Sequence, residues 1–394
     1  MKKKLASFLK YCKPVYMIYY YLGTCFFNII RFFVRTDDRL ILFNSFGGKF
    51  FNDSPKAVYD QMIRDSRFSD CRFVWAFQRP EEYDLPRGEK IKTDTMRYFV
   101  TALKARCWVT NSSLERGLGI RGKHTYFVNT WHGTPLKKMG SDLGEENSSF
   151  KSKNSWNMDL FTTQSSYESE IFTRVFQLKP RICQITGLPR NDELCHVTEE
   201  RRREIRERLG LEECNRVILY APTFREYEKN SARECIFAPP VSWDRWQEVL
   251  GNNTVILVRA HYEALQAMNL DWEERVRDMS GYPSLNELMI ASDVLLSDYS
   301  SVFFDYSILE KPMVCFAYDY DQYQKKRGMY FDIRQWLDWG EDQEAVLTIL
   351  KNLENEKFLR RSVEKTRVFK ARFVEKSGHG VEEVLSRIHK NCFY

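Results

Sequence analysis

The sequence predicts an α/β fold with parallel sheets in two domains. Its 394 residues exceed what a single hydrophobic core usually organises. Short apolar runs alternate with amphipathic stretches, and polar or glycine-rich turns follow many of the apolar runs, as in parallel sheets with helical crossovers. We expect a basic aromatic segment (1–35), a first domain (36–195), a second domain (196–375) and a C-terminal helix (376–394) that packs back on the first domain.

The charge of the chain is concentrated at its N-terminus. Residues 1–35 carry seven basic side chains and no acid, so the net charge of +6 leaves −1 for the remainder. A near-neutral body argues against nucleic-acid binding, which needs a basic surface. The ten cysteines are scattered without C-x-x-C or zinc spacing, which indicates reduced thiols in a cytosolic protein.

The uncharged stretch 14–30 is rich in Tyr and Phe. Its seventeen residues are at the lower limit for a membrane-spanning helix, and basic residues flank it on both sides. Aromatic rings favour the headgroup level and basic side chains favour anionic lipid. We therefore expect a helix lying in the cytoplasmic face of the membrane. A spanning helix and an ordinary packed helix are the alternatives.

Two strand ends of the first domain carry candidate ligand loops. The predicted strand 39–43 leads into Gly47, Gly48 and Lys49, which suit an anion loop or, more simply, a plain turn. The predicted strand 126–130 ends at His132, and ligands bind at the carboxyl ends of parallel strands. The alternative for His132 is a structural histidine that hydrogen-bonds a loop carbonyl.

Three strand ends of the second domain carry groups that suit a diphosphate. Strand 216–220 leads to Thr223, strand 254–258 to Arg259 and His261, and strand 294–296 to Ser300 and Ser301 at the start of a predicted helix, 302–309. Hydroxyls, a guanidinium and a helix N-terminus all bind phosphate oxygens. If the strands are neighbours, these groups converge on one anion site; the alternative for the serines is ordinary helix capping.

Several of these segments together resemble the CDP-glycerol glycerophosphotransferase family, whose enzymes build wall teichoic acid and related capsule polymers. The segments are Trp-His-Gly-Thr-Pro-Leu-Lys at 131–137, Gly-Leu-Pro-Arg-Asn-Asp at 187–192, Tyr-Ala-Pro-Thr-Phe-Arg at 220–225, Arg-Ala-His at 259–261 and Ser-Asp-Tyr-Ser-Ser-Val-Phe-Phe-Asp at 297–305. The resemblance runs from about residue 40 to 380, although the family often has Glu where Asn44 stands.

The resemblance implies a GT-B fold, in which two Rossmann-like domains face each other across a cleft and the second binds most of the nucleotide. It implies a peripheral enzyme on the cytoplasmic side of the cell membrane. The implied CDP-glycerol contacts are His132, Gly133, Thr134, Pro135, Leu136, Arg190, Pro222, Thr223, Arg259, Ala260, His261, Ser300, Ser301 and Asp305. Asp305 enters through the resemblance alone.

The implied partners are CDP-glycerol and an undecaprenyl-diphosphate-linked disaccharide, since the length of the chain is more like a teichoic acid primase than a long polymerase. Short capsule transferases stay open, as do a homo-oligomer and a complex with other teichoic acid enzymes. The sequence singles out no cofactor and no metal site, because we count no Asp-x-Asp motif, and leaves a requirement for Mg²⁺ open.

The expected reaction is attack of an acceptor hydroxyl on the β-phosphorus of CDP-glycerol, with CMP leaving. His132 is the candidate base, and Arg259, His261 and the Ser300–Ser301 pair are candidates to stabilise the charge on the phosphoryl oxygens. The two histidines could exchange roles. The alternatives are a CDP-ribitol-dependent transferase, a GT-B glycosyltransferase that uses a nucleotide sugar, and a catalytically silent glycan-binding scaffold, against which the presence of both histidines speaks.

Overall fold

The computed structural model describes residues 13–143, 157–223, 225, 239–260 and 275–394. The chain forms two compact units. The first contains Met1–His132, Met139–Asp192 and Lys376–Tyr394, and the second contains Gly133–Lys138 and Glu193–Glu375. The short segment Gly133–Lys138, which the sequence assigns to the first domain, therefore belongs to the second unit.

The described residues of the first unit form a seven-stranded parallel sheet in the order β3-β2-β1-β4-β5-β6-β7. The strands are β1 (Asp37–Asn44), β2 (Arg72–Phe77), β3 (Glu89–Lys92), β4 (Ala105–Thr110), β5 (Tyr126–Asn129), β6 (Leu160–Thr163) and β7 (Cys183–Ile185). Its helices before residue 192 are α1 (Lys13–Phe32), α2 (Asp53–Met62), α3 (Met96–Lys104) and α4 (Ser166–Val175). A short helix, α5 (Asp192–Cys195), begins at the last residue of this part of the first unit and continues into the second. The central strands are apolar on both faces because both faces are covered.

The described residues of the second unit form a six-stranded parallel sheet in the order β10-β9-β8-β11-β12-β13. Its strands are β8 (Arg216–Ala221), β9 (Thr254–Val258), β10 (Val276–Asp278), β11 (Val294–Ser297), β12 (Met313–Phe316) and β13 (Asp338–Gly340). Its helices are α6 (Glu199–Arg208), α7 (Trp243–Leu250), α8 (Leu285–Ala291), α9 (Val302–Tyr306), α10 (Tyr320–Lys326), α11 (Gln343–Asn352) and α12 (Glu356–Phe373). Strand β8 pairs with both β9 and β11, so the three strands expected to deliver the anion site are neighbours.

The helix predicted at 302–309 is shorter than expected. The α-helix α9 ends at Tyr306, and a 3₁₀ turn, Ser307–Leu309, completes the segment. Glu310 then adopts a left-handed conformation with φ of 52°, which ends the turn before Pro312. The hydroxyl of Ser307 donates to the carbonyl of Phe304 (2.7 Å), a local bond that competes with regular helical bonding.

The chain ends with helix α13 (Gly380–Cys392), which belongs to the first unit. The carboxylate of Asp192 accepts hydrogen bonds from the backbone N–H groups of Gly380 and Val381, both at 2.8 Å. These bonds satisfy donors that the first turn of a helix leaves unpaired. A Cβ at position 380 would lie 2.9 Å from the nitrogen of Pro189, so this close approach requires glycine.

Helix α1 packs on the first unit along one face and exposes apolar side chains along the other. The ring of Phe27 lies 4.4 Å from that of Phe99, and Thr24 Oγ1 accepts a hydrogen bond from the backbone N–H of Gly119 (3.0 Å). The exposed face carries Ile18, Tyr21, Leu22, Phe26, Ile29 and Phe32. Among the described residues, we find no helix with the length and apolar character needed to cross a bilayer.

Candidate functional site

The loops after β8 and β11 are tied together at the carboxyl edge of the second sheet. The backbone N–H of Thr223, after β8, donates to both carboxylate oxygens of Asp298 at 2.9 and 3.0 Å. Asp298 follows β11, is 1% exposed, and also accepts from the N–H of Tyr299 (2.7 Å). The sequence predicted Thr223 as a ligand, but it did not single out the aspartate that holds it.

Arg225 is a second group that sequence reasoning missed. It is 1% exposed; its Nη1 lies 2.9 Å from Asp298 Oδ2, and its Nε lies 2.7 Å from Asp319 Oδ2. Burial by itself would lower the pKa of Arg225, but the two carboxylates raise it well above its ordinary value. Arg225 is therefore a permanently charged link between the loops after β8, β11 and β12.

Asp319 also corrects the expectation that the chain lacks an Asp-x-Asp motif. Asp319, Tyr320 and Asp321 have that spacing, so the expectation was wrong. The carboxylate of Asp319 is bonded to the guanidinium of Arg225 at 2.7 and 2.8 Å. Within the described part of the chain, no three His, Cys, Asp or Glu side chains are grouped as metal ligands would be.

Ser300 and Ser301 differ in how they begin helix α9. The hydroxyl of Ser300 accepts from the backbone N–H of Val302 (3.3 Å), which is a local turn contact. Ser301 is the N-cap residue, but its hydroxyl makes no capping bond. Both side chains are partly exposed, whereas Asp305, one turn further along, is buried. Ordinary capping therefore accounts for Ser300 better than for Ser301.

The segment Gly133–Lys138 is fixed within the second unit by backbone bonds. The carbonyl of Leu136 accepts from the N–H of Tyr330 (2.9 Å), and the N–H of Lys138 donates to the carbonyl of Gly328 (3.0 Å). Thr134, Pro135 and Leu136 are buried. An ideal Cβ on Gly133 would lie 2.9 Å from Ser301 Oγ and 3.3 Å from Ser301 Cβ. The structure thus places this sequence-predicted loop directly against a predicted donor ligand.

Arg259 already has structural partners on one side of its guanidinium. Its Nη1 lies 2.6, 2.7 and 2.5 Å from the carbonyl oxygens of Met279, Ser280 and Tyr282, which share its two N–H groups. Burial lowers its pKa. Ala260 is also buried, and its N–H donates to Ser280 Oγ (3.0 Å). Arg259 therefore holds the turn after β10, and its partner in the prediction, His261, lies outside the described residues.

His132 is oriented by a backbone carbonyl in the first unit. Its Nδ1 lies 2.7 Å from the carbonyl oxygen of Asn111. Since a carbonyl only accepts, Nδ1 carries the proton, and the lone pair of the neutral ring is on Nε2. The ring is stacked on Trp131, with centroids 4.2 Å apart, yet remains solvent-accessible. The expected alternative, a histidine bonded to a loop carbonyl, is thus compatible with a proton-accepting role.

The surroundings of His132 lower the pKa of its ring. Loss of hydration lowers its pKa below the ordinary 6.5, while the bond to Asn111 and the charge of Asp53 oppose this shift. The nearby Arg190 adds to the lowering. Arg190 Nη1 lies 3.3 Å from Asp53 Oδ2, and its backbone N–H donates to Ser54 Oγ (3.2 Å). Arg190, predicted as a donor contact, therefore lies in the first unit beside the histidine.

The loop after β1 has the geometry of a constrained turn. Gly47 and Gly48 have φ of 65° and 85°, values that favour glycine. The N–H of Gly47 donates to Ser112 Oγ (2.9 Å) and that of Gly48 donates to the carbonyl of Ser45 (2.8 Å). Because both N–H groups are already hydrogen-bonded within the protein, the structure favours a plain turn over an anion-binding loop. Lys49 is exposed.

Comparison with known proteins gives a match over nearly the whole chain. Residues 26–390 match the model of the family described as CDP-glycerol:poly(glycerophosphate) glycerophosphotransferase. The chain is 34% identical to a teichoic acid poly(glycerol phosphate) polymerase of Staphylococcus epidermidis, over 90% of this chain and 51% of the relative. It is 32% identical to a teichoic acid glycerol-phosphate transferase of Staphylococcus aureus, over 80% of this chain and 84% of the relative. The chain thus spans about half the length of the first relative and most of the second.

The fold of the chain is also similar to that of solved structures. The wall teichoic acid polymerase TagF superposes with a TM-score of 0.83 at 30% identity, covering 93% of this chain and 92% of that one. A UDP-GlcNAc 2-epimerase of Neisseria meningitidis superposes with a TM-score of 0.55 at 11% identity, over 89% of this chain and 99% of that one. The second likeness concerns the fold alone.

Proposed function

Because the chain belongs to the CDP-glycerol:poly(glycerophosphate) glycerophosphotransferase family, we propose that it transfers glycerol phosphate from CDP-glycerol to a hydroxyl of a membrane lipid-linked glycan in teichoic acid or capsule synthesis. The observation that carries this proposal is that Thr223, Arg259 and the Ser300–Ser301 pair follow three neighbouring strands, β8, β9 and β11, at one edge of the sheet. Such an edge is where nucleotides bind in parallel α/β sheets. The two units make up a GT-B enzyme in this proposal.

The second unit binds the diphosphate of the donor. The hydroxyls of Thr223 and Ser301 donate to phosphate oxygens, and the guanidinium of Arg259 supplies positive charge. The remaining proposed contacts are Gly133, Thr134, Pro135, Leu136, Pro222, Ala260, His261, Ser300 and Asp305, together with Arg190 of the first unit. The position of Gly133 against Ser301 supports including the 133–136 loop.

His132 acts as the base in this mechanism. Its Nε2 accepts the proton of the acceptor hydroxyl as the hydroxyl oxygen bonds to the β-phosphorus. The bond from that phosphorus to the bridging oxygen breaks, and CMP leaves with the electron pair. Positioned donors stabilise the spreading negative charge. The bond from Nδ1 to the carbonyl of Asn111 supports this role because it presents Nε2 unprotonated.

The reaction is tested with purified protein, a lipid-linked disaccharide and one of three donors: CDP-glycerol, CDP-ribitol or a UDP-sugar. We expect CMP release and a product heavier by one or more glycerol phosphate units with CDP-glycerol. UDP release would contradict the proposal, and preference for CDP-ribitol would reassign the donor. His132→Gln should lose on the order of 100-fold or more in turnover while still binding CDP-glycerol; near wild-type turnover would exclude His132 as the base.

The acceptor is a membrane lipid, and we propose that α1 holds the protein on the cytoplasmic face of the membrane. The exposed apolar stripe of α1, in which Leu22 is 67% and Phe32 is 89% exposed, supports insertion at the headgroup level. Leu22→Glu combined with Phe26→Glu should abolish sedimentation with anionic vesicles. Val368→Glu, at an exposed apolar position of α12, is the matched control and should bind like wild type. Equal binding of all three proteins would refute the assignment to α1.

A further inference from the structure

We propose that Arg225 is a positioning residue for donor binding: it locks the loops after β8, β11 and β12 together and thereby fixes Thr223 and the Ser300–Ser301 pair. This inference rests on the proposed function, because it concerns the same diphosphate site. It adds a residue that would itself touch no substrate.

The guanidinium of Arg225 uses all five of its N–H groups within the protein. Nε and Nη2 donate to the two oxygens of Asp319 (2.7 and 2.8 Å), and Nη2 also donates to the hydroxyl of Tyr318 (2.8 Å). Nη1 donates to the carbonyl of Thr223 (2.7 Å) and pairs with Asp298 Oδ2 (2.9 Å). An arginine has five such donors. Arg225 therefore has no N–H group left for a phosphate. In this it differs from Arg259, which we propose as a contact of the diphosphate.

The faces of the guanidinium are enclosed by aromatic rings. Its central carbon lies 5.2 Å from the ring centroid of Tyr299 and 4.8 Å from that of Tyr323. Cation–π attraction at such distances strengthens when the cation is desolvated. The Nζ of Lys137 lies 5.5 Å from the same Tyr323 ring, so the contacts reach the 133–138 loop that packs against Ser301.

The connections of Arg225 define what it positions. Asp298 bonds the N–H of Thr223 on one side and Arg225 on the other, and it lies two residues before Ser300 in the chain. A shift of Asp298 would therefore move a hydroxyl donor on each of two loops. Arg225 balances two buried carboxylates, and an unpaired buried charge is strongly unfavourable. The bonds of Arg225 therefore hold Thr223, Asp298 and Asp319 together.

Arg225→Lys is the informative variant because it keeps the positive charge but removes the planar arrangement of N–H donors. Lysine has three donors around one nitrogen and cannot form the planar, bidentate bond to Asp319. At least two of the five acceptor positions would lose their partner. Asp319→Asn makes the complementary change, since it preserves the shape of the side chain while it removes one of the two carboxylate charges beside Arg225.

The chain offers a matched control at the opposite edge of the same sheet. Arg206 is 6% exposed; it donates to the carbonyls of Ala291 (3.0 Å) and Asn215 (2.6 Å) and lies 3.7 Å from Asp293. Asn215 and Asp293 immediately precede β8 and β11. Arg206→Lys thus perturbs a buried arginine that joins the same two strands at their amino ends, away from the proposed donor site.

The experiment compares wild type, Arg225→Lys, Asp319→Asn and Arg206→Lys in the full chain. It measures the thermal midpoint, the Kd for CDP-glycerol and for CDP by calorimetry, and the kcat and KM for CDP-glycerol. We expect all three variants to lose thermal stability. Only the Arg225 and Asp319 variants should raise Kd and KM, by about 10-fold or more, as expected when donors of a phosphate site are displaced. The Kd of the Arg225→Lys/Asp319→Asn double variant should lie within about 3-fold of that of the weaker-binding single variant, because both changes disrupt the same Arg225–Asp319 interaction.

Two results would overturn the inference: wild-type Kd values for Arg225→Lys, or an equal loss of affinity in Arg206→Lys. The first result would mean that the bonds of Arg225 do not determine donor affinity. The second would mean that perturbing any buried arginine of this sheet lowers donor affinity equally. Wild-type protein that binds CDP but does not turn over CDP-glycerol would contradict the proposed function and leave the comparison of CDP affinities intact. Wild-type protein that binds neither would overturn both proposals.

Discussion

Gly133→Ala tests whether the 133–136 loop and Ser301 form one binding surface. An ideal Cβ at position 133 would lie 2.9 Å from Ser301 Oγ and 3.3 Å from Ser301 Cβ. Carbon atoms in favourable contact are about 3.5–4.0 Å apart. The hydroxyl could rotate away, but the Cβ would still have to shift by a few tenths of an ångström. Position 133 does not have the left-handed backbone that excludes side chains, so the effect would arise from this contact.

The size of the effect follows from the cost of overpacking. An extra methyl group in a close-packed site costs about 1–3 kcal/mol, and each 1.4 kcal/mol is about tenfold in affinity. We expect Gly133→Ala to raise the Kd for CDP-glycerol by about 10-fold in isothermal titration calorimetry. Gly281→Ala is the matched control, because a Cβ there meets no atom within 4 Å, and its Kd should equal that of wild type.

A double-mutant cycle with Ser301→Ala decides between displacement of the hydroxyl and a general change in the loop. If the added methyl acts by moving the Ser301 hydroxyl, Gly133→Ala should weaken binding much less when position 301 is already alanine. Full additivity of the two changes, or an unchanged Kd for Gly133→Ala alone, would refute the assignment of Ser301 Oγ as a donor ligand that this loop positions.

Two further predictions concern ionisable groups of the first unit. The pKa of His132 is lowered by loss of hydration, so the acid limb of the pH profile of kcat/KM for CDP-glycerol should have its midpoint below pH 6.5. Asp53→Asn removes a negative charge that raises this pKa and should move the midpoint lower still. A midpoint that does not move would exclude His132 as the titrating base. Burial raises the pKa of Glu115 from 4.5 to about 7. Its contribution to stability is therefore complete below pH 4.5 and lost as the pH rises through 7. At 1.36 kcal/mol per pKa unit, the loss is on the order of 3 kcal/mol. Glu115→Gln should therefore unfold at a higher temperature than wild type at pH 8, and the gain in unfolding temperature should be smaller at pH 5. A gain that is the same at both pH values would contradict the shift.

The sequence predicted the central strands accurately and missed strands at the sheet edges. Strand β9 (Thr254–Val258) has the predicted bounds, and β8 and β11 each extend one residue beyond theirs, because buried parallel strands are continuous apolar runs. The missed strands are β3, β10 and β13. The sequence of β3 is Glu-Lys-Ile-Lys and that of β10 is Val-Arg-Asp. Edge strands are short and charged, so the periodicity on which such predictions depend is absent from them.

Candidate ligands could be predicted from the sequence where a single residue at a strand end has suitable chemistry. Thr223, Ser300 and Ser301 belong to this class. Arg225 and Asp298 do not, because their pairing joins positions 73 residues apart and leaves no local pattern. In a sequence a buried arginine looks like a surface one, and only the tertiary structure shows that carboxylates surround it. Sequence reasoning therefore finds the groups that could touch a ligand more readily than the groups that hold them in place.

The segment Gly133–Lys138 shows why the domain boundary had to be read from the structure. It directly follows β5 and His132, so proximity in sequence assigns it to the first domain. Its backbone instead bonds to residues 328–330, nearly two hundred positions away. The chain consequently passes from one unit to the other at the peptide bond between His132 and Gly133. The candidate base is thus bonded directly to the residue that packs against Ser301. A substitution at position 133 can therefore affect donor affinity through Ser301 and turnover through His132, and separate measurement of Kd and kcat for Gly133→Ala will distinguish the two effects.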